Sequence, residues 1–183
     1  MSYHNPVLLH ESVDALAIQE DGVYVDVTFG GGGHSREILN RLGKNGKLFG
    51  FDQDQDAISN KIEDDRFELI AANFGHLIQY LKFHRVNSVD GILADFGVSS
   101  HQFDTSERGF SIRSEGRLDM RMNQSQDLDA YAVINLYEEE QLATIFSAYG
   151  ELRNAKALAR AIVVARTDKK IVTTLDLIAI VKS

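Results

Sequence analysis

The stretch "YVDVTFGGGGHS", residues 24–35, places four consecutive glycines between an alternating apolar run and a segment with helical apolar spacing. Few features limit a fold so tightly. Glycines at a strand-to-helix turn permit backbone conformations closed to other residues, let the main chain approach a ligand and aim the first amides of the helix at it. A turn that merely tightens strand-to-helix packing is the plainer alternative. The surrounding pattern extends the constraint. Residues 23–29, 47–51, 67–72 and 88–95 read as short apolar strands, and helical spacing occupies 9–16, 34–42, 56–62 and 74–83. Strands separated by helices predict βαβ units, and therefore an α/β fold with a parallel, doubly wound sheet.

The texture changes at residue 96. "FGVSSHQFDTSERGFSIRSEGRLDMRMN", residues 96–123, follows neither period, and so long an aperiodic stretch inside a compact domain is usually functional. Beyond it the spacing predicts helices over 127–136, 138–149, 151–166 and 174–182, with Gly150 as a stop and Thr173 or Thr174 as an N-cap. Four parallel strands leave an open edge beside the last of them. Either the helical half covers that edge, or further strands lie beyond Ser183.

Composition removes several classes of function. The chain has no cysteine, which excludes disulfides, thiol nucleophiles and cysteine-bound zinc. Its six histidines show no HxH or HExxH spacing, so no metal is expected. No 18-residue apolar run occurs and the N-terminus lacks the basic and apolar segments of a secretory signal, so a cytoplasmic location without membrane contact is expected. Of the formal charge of −8, all but one unit falls in residues 1–100. The second half is therefore the less repulsive to phosphate, although strong sequence-independent nucleic-acid binding is not expected.

Three acids stand where a parallel sheet places its ligands. Asp26 is late in the first strand, where a carboxylate needs a cation or amides. Asp52 ends the second strand, 22 residues beyond Gly30, the position from which an acid commonly accepts ribose hydroxyls. Asp95 ends the fourth, facing the crevice at the carboxyl edge. A strand-terminating turn is the bland alternative for Asp52, and a solvated turn for Asp95. The G-x-G-x-x-G fingerprint fails at its last glycine, where Ser35 or Arg36 stands, and no Gly-Lys-Ser/Thr follows. S-adenosylmethionine, with a ribose and a cationic portion, fits the acids better than a dinucleotide. A hydrolase elbow is excluded because His101 follows Gly97-Val98-Ser99-Ser100. Arg108, Arg113, Arg117 and Arg121 stud the aperiodic stretch, and Arg153, Lys156 and Arg160 recur at helical spacing; either set is a phosphate contact or a solvated face.

Taken together in order, "HNPVLLHESV", "DVTFGGGGHS", "FDQD", "ADFGVSSHQFD", "RGFS", "LDMRM" and "YGELRNAKALARAIV" resemble the MraW (RsmH) methyltransferases along essentially the whole chain. That resemblance implies a Rossmann-like methyltransferase sheet carrying an inserted α-helical subdomain, with residues 1–103 as the N-terminal part of the methyltransferase domain. Residues 104–183 would be the loop and helical insertion, the chain ending before the sheet is completed. It implies transfer of a methyl group from S-adenosylmethionine to N4 of a cytidine in 16S ribosomal RNA, with the small ribosomal subunit as partner. Carried over, the family's cofactor contacts fall on Gly32, Gly33, His34, Asp52, Phe74, Asp95 and Gln102. Asp26 is added as a group facing the cofactor's ammonium, and Asp95 as the acceptor that holds the cytosine amino group. Arg108, Arg113, Lys156 and Arg160 are expected to contact RNA. Arg117 stands where the family often has proline and Asn123 where aspartate is usual, and a "SFHSLED"-like stretch is absent. The rival expectations are a module that binds S-adenosylmethionine without turnover and a NAD-linked oxidoreductase. The sequence sets no oligomeric state.

Overall fold

The computed structural model describes residues 6–182. They form two compact units, Met1–Gly97 and Val98–Ser183. In the first unit four parallel strands, β1 (Val23–Asp26), β2 (Lys47–Asp52), β3 (Phe67–Ala71) and β4 (Gly91–Leu93), lie in the order β3-β2-β1-β4. After β1 the chain steps outward through β2 to β3, then returns to place β4 on the other side of β1. The order therefore reverses between β1 and β4, and the carboxyl ends of the strands there open the crevice in which such sheets bind ligands.

The period of two decides which side chains meet which helices. Tyr24 and Leu48 point to one face, where they join Val13 of α1 (Leu9–Ala15) and Ile38 and Leu39 of α2 (Gly33–Arg41). Val25, Phe49 and Phe51 point to the other, against Leu77, Tyr80 and Leu81 of α4 (Leu77–Phe83). Both faces are covered, as the near-continuous apolar strands require. Between β2 and β3 only Gln55–Ile58 is helical (α3), capped by the Asp54 carboxylate, which accepts from the Asp56 amide. The longer helix expected over 56–62 stops there. The sheet is also shorter than the apolar runs. Val27 donates to the Leu93 carbonyl and Phe29 to that of Phe51, so the chain beyond Asp26 bonds alternately to both neighbours as it leaves the ladder.

The second unit contains α5 (Ser100–Asp104), a 3-10 turn at Ser106–Arg108, α6 (Ala130–Leu136), α7 (Glu139–Ala148), α8 (Ala155–Asp168) and α9 (Thr174–Val181). Leu118, Ile134, Leu142, Ala159, Ile162 and Ile171 make its core. Leu118 comes from the aperiodic stretch and is 1% exposed. Its amide donates to the Val172 carbonyl, and the neighbouring Arg117 pairs with Thr173 in an antiparallel bridge. Asn135 and Ile171 exchange two hydrogen bonds, of 2.8 and 3.0 Å, in the interior. The stretch 105–129 is thus tied to the core through Leu118, although much of it is exposed. α6 begins later than its apolar pattern because Asp129 caps it, accepting from the Ala132 amide at 2.7 Å. α8 begins at Ala155 because Glu151 takes a left-handed conformation, φ 52°, after Gly150.

Candidate cofactor crevice

Asp26 sits at the base of the glycine turn and is fully buried. One carboxylate oxygen accepts from the Ser35 hydroxyl at 2.7 Å, and the other from the amide and hydroxyl of Thr28 at 3.0 and 3.4 Å. Burial pushes its pKa above the ordinary range, and these bonds only partly oppose the shift. The expectation that Asp26 faces the cofactor's ammonium is therefore corrected. Its carboxylate is enclosed and clamps the two ends of the turn. Thr28 carries the clamp further, since its hydroxyl oxygen also accepts from the Asp95 amide at 2.8 Å. The ends of β1 and β4 are joined through one side chain.

The turn leaves no room for other residues at two of its positions. Gly32 has φ 74°, and a Cβ there would come within 2.9 Å of the Phe29 ring. At Gly33 a Cβ would collide with the Pro6 ring. The glycines thus answer first to the protein's own packing, and the Gly32 amide itself donates to the Phe29 carbonyl at 2.7 Å. His34, in the first turn of α2, is 5% exposed, and its Nε2 has no hydrogen-bond partner among the described residues.

Asp52 is aligned with Ala71 across β2 and β3. One of its oxygens accepts from the Gly30 amide at 2.8 Å, the other from the Asp54 amide at 2.9 Å. Each oxygen retains a second lone pair, so a partly buried carboxylate already oriented by the turn is available to ribose hydroxyls. Phe74 follows β3 and Phe96 follows β4, at opposite edges of the sheet. Strands about 4.8 Å apart separate those edges by roughly 14 Å, yet the two rings have centroids 5.7 Å apart. The segments after β3 and β4 therefore lean inward above the ends of β2 and β1. Both rings are exposed, Phe74 by 42% and Phe96 by 71%.

The first unit thus holds Gly32, Gly33, His34, Asp52, Phe74 and Asp95 at the carboxyl end of one sheet. Gln102 lies in the second unit. It closes a capping box with Ser99 at the start of α5, and its amide nitrogen lies 3.6 Å from the Met122 sulfur. Of the cationic residues, Arg113, Lys156 and Arg160 are exposed, with Arg160 3.5 Å from Glu139. Arg108 is not. It is 4% exposed, donates to the Arg121 carbonyl and lies over the Phe110 ring, so it frames the loop and is withdrawn as an RNA contact. Thr28, Ser35 and Phe96 were not picked out from the sequence. A hydroxyl two residues beyond a buried aspartate is the signal that points to Thr28. No metal-binding cluster of His, Cys, Asp or Glu occurs among the described residues, and none of their helices is long and apolar enough to cross a membrane.

A parallel sheet of order β3-β2-β1-β4 with a glycine turn after β1, an acid after β2 and an acid after β4 defines an α/β domain of the Rossmann-like type. Residues 1–183 match the MraW methylase family, and the chain belongs to it. It is 61% identical over 182 residues to the ribosomal RNA small subunit methyltransferase H of Flavobacterium johnsoniae, covering 100% of this chain and 60% of that protein. The proteins of the same name from Christiangramia forsetii and Bacteroides fragilis are 62% and 58% identical over 174 and 181 residues. Those matches cover 95% and 99% of this chain, and 58% and 60% of the respective relatives. The chain spans about 60% of the length of these curated relatives.

Proposed function

We propose that the protein to which this chain belongs transfers the methyl group of S-adenosylmethionine to N4 of a cytidine in 16S ribosomal RNA. The observation that carries this reading is the arrangement of Asp52, Phe74 and the glycine turn, in a chain 61% identical to a relative named ribosomal RNA small subunit methyltransferase H. The donor set suits the cofactor. Asp52 would accept the ribose hydroxyls, the Phe74 ring would offer an apolar surface to adenine, and the amides at Gly32–His34 would lie beside the methionine portion. When bound, S-adenosylmethionine supplies a methyl group already activated by a sulfonium. What remains for the chain is position and hydrogen bonding. The cytosine amino nitrogen is a poor nucleophile because its lone pair is delocalised into the ring. Asp95, accepting an N–H at its carboxylate, would orient that nitrogen and draw the lone pair out of conjugation. A base must be unpaired or turned outward to reach the crevice, consistent with a substrate recognised through a loop of folded RNA. Arg113, Lys156 and Arg160 are the cations assigned to phosphate contact.

Calorimetric titration with S-adenosylmethionine, with NAD as control, tests the cofactor. Saturable binding of the methyl donor alone is expected, with stabilisation of about 2.7 kcal/mol at 100 times the dissociation constant. Binding of NAD instead would overturn the reading. Methylation of small ribosomal subunits then tests turnover. Because the chain spans 60% of its relative, a second reading is that it binds the donor without catalysing transfer. Donor binding with no transfer, restored by the longer protein, supports that alternative.

A further inference from the structure

At the corner between α7 and α8 a tyrosine stands almost wholly in solvent. Of the five tyrosines among the described residues, four are buried or half-buried, whereas Tyr149 is 85% exposed. The backbone beneath it is fixed. The Tyr149 amide donates to the Ile145 carbonyl at 3.0 Å, and the chain turns through Gly150 and the left-handed Glu151 until the Leu152 amide donates to the Phe146 carbonyl at 3.1 Å. A Cβ at Gly150 would come within 2.8 Å of that same carbonyl. The ring therefore rides on a set corner, with only its own two torsions left to order on contact. Three exposed cations follow at helical intervals, Arg153, Lys156 and Arg160. Arg160 lies 3.5 Å from Glu139 at the start of α7, so this face of α8 borders the helix whose other end carries Tyr149. Among the described residues Arg153 and Lys156 are held in no ion pair. Residues 147–160 carry these three cations against one acid, Glu151, a local reversal in a chain of net charge −8.

We infer that this corner binds single-stranded RNA, the Tyr149 ring stacking on an unpaired base while Arg153 and Lys156 contact the flanking phosphates. The inference rests on the RNA-methylation reading above and deepens it, assigning a stacking residue and the unpaired form of the strand. An exposed aromatic ring beside a row of cations is the arrangement by which proteins hold single strands. Duplex RNA suits it poorly, because paired bases already stack on one another and offer the ring no free face. Every base has a π face, so Tyr149 supplies affinity and position, not a choice of sequence. A protein partner fits less well. The corner offers only one ring and Leu152, 40% exposed, among charged neighbours, whereas the centres of protein interfaces are depleted of charge.

The test uses the 183-residue chain and a fluorescein-labelled oligoadenylate of about eight nucleotides, read by anisotropy, with a paired RNA hairpin as control. The single strand is expected to bind about tenfold more tightly than the hairpin, and log affinity to fall with log salt at a slope of about −2 for three cations. Tyr149→Ala should weaken binding about tenfold. Tyr149→Trp should retain it, and because the chain has no tryptophan its emission reports the corner alone and should be quenched by the oligonucleotide. Arg153→Glu should weaken binding and flatten the salt slope. Both positions are exposed, so the thermal melt should not move. A parent that binds no RNA, equal affinity for the hairpin, full affinity in Tyr149→Ala, or tryptophan emission indifferent to RNA would each overturn the assignment. Titration of the same samples with S-adenosylmethionine separates the two readings. Donor uptake with RNA binding indifferent to Tyr149 sinks the corner and leaves the methyltransferase reading standing. Tyr149-dependent RNA binding in a chain that takes no donor does the opposite.

Discussion

Two irregular segments, residues 27–33 and 105–129, are each organised by an aspartate, and the two aspartates solve the problem in opposite ways. Asp26 is buried among neutral donors, the Thr28 amide and the hydroxyls of Thr28 and Ser35. Asp119 is paired with the Arg121 guanidinium through two contacts, of 2.9 and 2.6 Å. Burial raises the pKa of the first; the guanidinium bonds lower that of the second. The difference shows what each loop has to do. At the turn beside the crevice the carboxylate is held by neutral donors, and the Arg36 guanidinium goes instead to the backbone, donating to the Gly31 carbonyl at 2.6 Å. The loop of the second unit is stitched by arginines, Arg117 to Asp129 at 2.8 Å as well as Arg121 to Asp119, and is tied to a core through Leu118.

The largest expected effect comes from the packed loop. Leu118→Ala should cost about 3 kcal/mol, and hydrogen exchange should speed up at Leu142 and Ile162 while β1 keeps its protection. Equal loss of protection in β1 would break the picture of two separately organised regions. Next is Asp26→Ala, which strands buried donors and should cost about 2 kcal/mol, with loss of S-adenosylmethionine binding. Asp26→Asn keeps an acceptor, and chemical denaturation should place it between the parent and the alanine variant.

The pH dependence sharpens the contrast because the signs oppose. Asp26 has a folded pKa above its ordinary 3.8, so its contribution is complete below that value and is lost as pH rises through the folded pKa. Asp119 is lowered from 3.8, so its contribution is present above that value and is lost as pH falls through the folded pKa. Denaturation measured across pH 2 to 6, on Asp26→Asn and Asp119→Asn against the parent, should therefore show slopes removed in opposite senses. The same sign for both would refute this account of the two loops. The smallest effect on folding is expected from Lys156→Glu with Arg160→Glu, within about 0.5 kcal/mol. A several-fold loss of subunit methylation with an unchanged melt would assign those cations to RNA, and unchanged methylation would remove them.

The sheet was legible because its strands announce themselves locally. Val23, Val25, Phe49 and Phe51 alternate, and both faces are buried, so local pattern and tertiary demand agree. The positions of Asp52 and Asp95 followed from the same logic, since an acid at a strand's carboxyl end has few other places to go. The aperiodic stretch was opaque for a physical reason. Leu118 enters the core from a segment whose backbone bonds run to Val172 and Arg108, partners with no sequence periodicity. Arg108 was misjudged because charge alone signals the surface, whereas a carbonyl and an aromatic ring hold it inside. Asp26 was placed in the correct strand with the wrong role. Its orientation depends on Ser35, nine residues away, which no pattern within β1 encodes.

Thr28 gives its hydroxyl proton toward Asp26 and offers its lone pair to the amide of Asp95. A side chain used in both directions restricts which replacements this position tolerates over evolutionary time. Serine preserves donor and acceptor; valine, which matches threonine in shape, preserves neither; asparagine and aspartate supply acceptors with a longer reach. Variation at residue 28 should therefore run along hydroxyl chemistry and against volume, a pattern opposite to that of its buried neighbour Val27.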